Sequence, residues 1–89
     1  MAQDSRPLLE FPCQYPIKVM GVASEHFREQ VLAVFNQHAE GFDLSKVKVA
    51  SSSKGRFVSV HVVIEARGPE HIDTLYQALK TLVDVRLVI

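Results

Sequence analysis

The stretch Arg56-Phe57-Val58-Ser59-Val60-His61-Val62-Val63-Ile64-Glu65-Ala66 decides the fold. It is rich in β-branched residues, which fit a pleated surface. Its alternation has period two. Val58, Val60, Val62 and Ile64 point one way, and Phe57, Ser59, His61, Val63 and Glu65 point the other. The first set is wholly aliphatic and needs a cover; the second is mixed. A long strand of this kind belongs near the centre of a sheet.

Working outward, Ser51 to Gly55 has the composition of a turn. Before it, Val47 and Val49 alternate with Lys46, Lys48 and Ala50, as in an edge strand whose lysines oppose aggregation. After the central strand, Pro69 follows Gly68 and suits a first helical position. Ile72, Leu75, Tyr76, Leu79 and Leu82 then form a helical stripe that Asp84 breaks. Val85, Leu87 and Ile89 alternate with Arg86 and Val88 as a last short strand.

Towards the N-terminus, Tyr15 to Val22 reads as a strand, with Ile17 and Val19 opposite Lys18 and Met20, and Gly21 near its end. Ser24 suits a helix N-cap, and Glu25 the positive helix end. Phe27, Val31, Val34, Phe35 and His38 fall on one stripe, and Gly41 is placed to follow the helix as its C′ residue. Pro12 and Pro16 argue against a central strand over 8–14; Leu8, Leu9 and Phe11 are expected against the domain edge. Residues 1–7 read as a flexible tail and 8–89 as one domain.

The order is strand, helix, strand, strand, helix, strand. Right-handed crossovers then give an α+β, ferredoxin-like βαββαβ sandwich. Its antiparallel sheet has the order 4-1-3-2, with both helices on one face. The opposite face is expected to show Lys18, Met20, Lys48, Phe57, Ser59, His61, Val63, Arg86 and Val88. Such a half-apolar face suits a ligand, a protein partner or a second copy.

Composition narrows the classes. The chain has 89 residues, ten basic and ten acidic, so no net field draws it to phosphates or anionic lipid. Its hydrophobic fraction of 47% is enough for a packed core and too high for a disordered chain. A single cysteine, Cys13, rules out an internal disulfide framework. No signal-like segment and no run of about 20 apolar residues is present, so a cytoplasmic protein without membrane spans is expected.

No motif supplies a catalytic set. Ser51-Ser52-Ser53-Lys54 matches the letters of the S-x-x-K pattern, but that chemistry needs a helix start, and here the four residues form a loop. With Gly55 and Arg56 the same loop offers amides, hydroxyls and cations to a small anion, although a solvated turn is the preferred reading. The four histidines have no metal-site spacing, so neither metal nor cofactor is expected. His38 reads as a core or helix-end residue; His61, on the open face, is the one histidine placed to bind. Cys13 has no neighbouring base signature. Lys54-Gly55-Arg56-Phe57-Val58-Ser59-Val60 starts like an RNA-recognition strand but loses its aromatics. With Lys18 where the first strand should stack a base, nucleic-acid binding is an alternative only.

Several stretches together resemble the YbeD family of small bacterial proteins, described as proposed lipoate-regulatory proteins. They are Leu9-Glu10-Phe11-Pro12-Cys13 running into Tyr15-Pro16-Ile17-Lys18-Val19-Met20-Gly21, then Ser52-Ser53-Lys54-Gly55, then Leu75-Tyr76. The resemblance implies a ferredoxin-like fold similar to ACT regulatory domains, which sense small molecules such as amino acids. It carries no catalytic residues, and its lipoate link comes from gene neighbourhood. It also implies a ligand near the loop after the first strand, here Met20 to Ser24, although the Asp-x-x-Gly-type loop of amino-acid-binding members is lacking.

The expected function is therefore a non-catalytic regulatory module that binds a small molecule or protein partner. The alternatives are a homodimerisation module using the open face and an RNA-binding domain. Candidate contact residues are Met20, Gly21, Ser24, Lys54, Phe57, His61 and Val63.

Overall fold

The computed structural model describes residues 10–89. The expectations for Leu8, Leu9 and the tail over 1–7 lie outside them. The elements are β1 (Cys13–Val22), α1 (Phe27–His38), a 3-10 turn (Leu44–Lys46), β2 (Lys48–Ser51), β3 (Phe57–Ala66), α2 (Pro69–Lys80) and β4 (Val85–Val88). They form one four-stranded sheet of order β2-β3-β1-β4, antiparallel throughout, as the sequence predicts.

The aliphatic side of β3 is the packed side. Val60, Val62 and Ile64 are buried there with Ile17 and Val19 of β1. Phe27, Val31 and Phe35 of α1 and Leu75 and Leu79 of α2 close over them. Fully burying one such side chain contributes about 1.5–3 kcal/mol, so this layer is the main source of stability. Phe35 also meets Phe42 edge-to-face, with ring centroids 6.1 Å apart. Phe11 and Cys13 pack against the same cluster.

Four local expectations are corrected. Strand β1 starts at Cys13, two residues early, and contains Pro16. Proline is tolerated because Lys18 exchanges both backbone hydrogen bonds with Ile89, and Pro16 shares its parity one step beyond β4. Its missing N–H therefore faces the side where β1 has no partner. Strand β2 starts at Lys48, because Leu44–Lys46 forms a 3-10 turn under the Asp43 side chain. Ser24 does not cap α1: His26 holds that position without a side-chain bond, and Ser24 Oγ donates to Asp84 instead. Gly41, at φ +92°, lies two residues past the C-cap Ala39, so it is not the C′ residue.

A fifth correction changes the open face. Val88 pairs with Val19 and Leu87 with Met20, but Gly21 pairs with Val85. Arg86 is the extra residue of a β-bulge, and a bulge reverses the alternation beyond it. Val85 and Val88 therefore both lie against the core. Leu87 and Ile89 take the open face in place of Val88, and are 47% and 56% exposed.

Candidate functional site

The reverse of the sheet carries no helix. Register lines up its side chains in transverse rows. One row runs Lys48 of β2, His61 of β3 and Lys18 of β1, because His61 is the partner of both lysines. Ile89 continues it beside Lys18. On one side stand Val63 and Pro16; on the other, Ala50, Ser59, Met20 and Leu87; Phe57 lies beyond. A cationic row is thus bordered by apolar residues on both sides.

The row borders a hollow of ≈ 460 Å³ lined by Lys18, Lys46, Lys48, His61, Val63 and Ile89. A smaller recess of ≈ 120 Å³ lies between Met20, Ser52 and Phe57. Among the described residues the only ion pair is His26 with Glu29, at the start of α1, so none of these lysines is paired with a described carboxylate. The nearest acid on this face of the sheet is Glu65, four residues along β3 from His61, roughly 13 Å away.

His61 Nε2 is 3.4 Å from Ser59 Oγ, and Ser59 Oγ donates to the Ala50 carbonyl at 3.5 Å. With its hydrogen on Ala50, the serine oxygen accepts from Nε2–H. This is a serine beside a histidine, but the hydroxyl is buried and no described carboxylate bonds to His61. The arrangement orients the imidazole without forming a nucleophile–base–acid relay.

The seven predicted contact residues fall in three places. Met20, Phe57, His61 and Val63 share the open face. Gly21 and Ser24 lie at the far end of β1, against Asp84. A Cβ on Gly21 would overlap the Asp84 carbonyl and the Phe27 ring, so the glycine serves packing. Ser24 is engaged by Asp84. Lys54 stands at the tip of the β2–β3 hairpin, exposed, where Ser52 closes the turn through Phe57 N and Gly55 takes φ +71°. Sequence reading missed Leu87 and Ile89, which only the bulge brings to the face. It also missed Lys46 as a neighbour of Lys48.

Among the described residues no three His, Cys, Asp or Glu side chains stand close enough to hold a metal ion. Among the same residues no helix is long and apolar enough to cross a membrane. Phe57 is the one aromatic ring on the described open face.

Comparison with known proteins agrees with this architecture. Residues 6–89 match the family described as "Protein of unknown function (DUF493)". A "UPF0250 protein" of Hahella chejuensis is 39% identical over 88 residues, spanning 99% of this chain and 97% of that protein. A "UPF0250 protein" of Shewanella amazonensis is 43% identical over 81 residues, 91% and 90% of the two chains. Among solved structures, the ACT domain from GTP pyrophosphokinase of Chlorobium tepidum superposes with TM-score 0.70 at 13% identity, covering 86% of this chain and 83% of that one. Protein HP0495 from H. pylori superposes with TM-score 0.70 at 22% identity, covering 100% and 94%. The fold is thus ACT-like, as the resemblance implied. With a family match over nearly its whole length, this chain belongs to the DUF493 (UPF0250, YbeD-like) family of bacterial proteins.

Proposed function

We propose that this chain is a non-catalytic regulatory module that binds a small molecule or protein partner on the uncovered face of its sheet. The observation that carries this reading is the Lys48–His61–Lys18 row, set between apolar residues with no described acidic side chain beside it. The ACT-like fold supports it. The family resemblance adds a link to lipoate metabolism. Binding would regulate by stabilising whichever state of the chain or its partner holds the ligand better.

The test is a thermal-shift titration with amino acids and lipoate-pathway compounds, beside a pulldown from native cells using wild type and His61→Asp. A ligand at a hundred times its Kd adds about 2.7 kcal/mol, or roughly 10 °C or more for a domain this size. A saturable rise, or a partner captured by wild type and lost with His61→Asp, is expected. No rise and no His61-dependent partner would overturn the reading.

A second reading is a homodimer through the same face, favoured by the exposed Phe57, Leu87 and Ile89. Sedimentation equilibrium decides it: a monomer at every concentration removes it.

A further inference from the structure

Lysines normally stand on a sheet face in company. Charges of opposite sign across strands contribute a few tenths of a kcal/mol to about 1 kcal/mol, and like charges repel. Here two lysines flank one histidine in a single row, about 9–10 Å apart across two strand spacings. Lys46 joins them at the same hollow. The chain has as many acidic as basic side chains, yet on the sheet the only acidic side chain of this face is Glu65, beyond Val63. The side chains of the row are therefore basic within a neutral molecule, and no described acidic side chain stands beside them.

The surroundings of the row narrow what a counter-charge would be. A bare inorganic ion needs only the cations. Here Pro16, Val63 and Ile89 form an apolar floor directly beside the lysines. The hollow of ≈ 460 Å³ falls within the range of about 300–1,000 Å³ typical of small-molecule sites. One step from the lysine row to the Pro16–Val63 row is two residues, or roughly 6.6 Å, the reach of a short hydrocarbon chain.

We infer that the Lys48–His61–Lys18 row, with Lys46, binds the head of a small single-headed anion, a carboxylate or a phosphate, whose short apolar body lies on Pro16, Val63 and Ile89. This rests on the reading of the open face as a binding surface and names the ligand class. Lys18 and Lys48 supply charge-assisted hydrogen bonds from opposite sides, the His61 ring lies between them, and the floor removes apolar surface from water.

The test uses the whole chain, labelled with nitrogen-15 and titrated with hexanoate, hexyl phosphate, hexanol and hexylamine. Hexanoate or hexyl phosphate is expected to shift the Lys18, Lys48, His61 and Val63 amides saturably, and the tighter of the two identifies the head. Hexanol and hexylamine are expected to leave these amides unmoved over the same range. The Lys18→Gln/Lys48→Gln double variant should bind at least about tenfold more weakly, and Lys18→Arg/Lys48→Arg should retain binding. Equal shifts from hexanol, anion shifts mapping elsewhere, or unchanged affinity in the Gln variant would overturn the inference. If the Gln variant fails to fold, the wild-type comparison of heads decides alone. Should the anions leave the row unmoved while a neutral compound or a protein partner shifts Phe57, Val63 or Leu87, the ligand class fails and the broader reading stands. A face that nothing shifts sinks both.

Discussion

Gly21 is where the end of β1, the start of α1 and the turn before β4 meet. It has no side chain, and its space is taken by the Phe27 ring and the Asp84 carbonyl. Gly21→Ala must move a backbone atom as well as a ring, so it is expected to cost roughly 1–3 kcal/mol in urea unfolding. A variant as stable as wild type would show that this junction is loose. His71 makes a second junction. Its Nδ1 accepts from the Arg67 N–H at 3.1 Å, which leaves Nε2–H to donate to the His38 carbonyl at 2.7 Å. One ring thereby holds the start of α2 against the end of α1. Tyr76 is the third. Burial first, and then its contact with the Tyr15 hydroxyl at 3.5 Å, pushes its phenol up to about 12. An unfolded tyrosine ionises near pH ~10. The contribution of neutral Tyr76 is thus complete below about pH 10 and is lost as pH rises towards 12. Tyr76→Phe is expected to flatten the fall in melting temperature across that window; a fall of unchanged steepness would contradict this. None of these roles is written in local sequence. A glycine near a strand end, a histidine in a first turn and a tyrosine on a stripe take their meaning from residues 33 to 63 positions away.

At the scale of elements, β4 carries the sharpest test. Its bulge places Val88 against the core and Leu87 on the open face. Val88→Asp buries a carboxylate against apolar neighbours and is expected to cost about 2–4 kcal/mol; Leu87→Asp should change stability by no more than about 1 kcal/mol. Unbroken alternation predicts the reverse ranking, so chemical denaturation of the two variants discriminates directly. Sequence alternation read β3 and α2 well, because each is long and its apolar period is sustained. It failed at β4, where four residues leave no room to notice one extra, and the cause of the bulge lies in pairing with β1. It failed at β1 for a related reason. Proline weighs against a central strand, yet only one neighbour of β1 extends to Pro16.

At the scale of the molecule, two helices cover one side of a four-stranded sheet and the other side stays open. That asymmetry was legible because β3 presents aliphatic residues on one parity and a mixture on the other. Most of the candidate surface, from Lys18 and Met20 to Phe57, His61 and Val63, was legible for the same reason. The lysine–histidine row was not, since a row is a property of register between three strands. Nor were Leu87 and Ile89, whose place depends on the bulge. The account's central claim is that this side of the sheet is uncovered in solution. Paramagnetic relaxation by a soluble, neutral gadolinium chelate tests it at the methyl groups of dilute protein. Strong enhancement at Val63, Leu87 and Ile89 is predicted, with little at Val60, Val62 and Ile64. Protection of Leu87 and Ile89 at every concentration would mean that the face is covered, and would contradict the account.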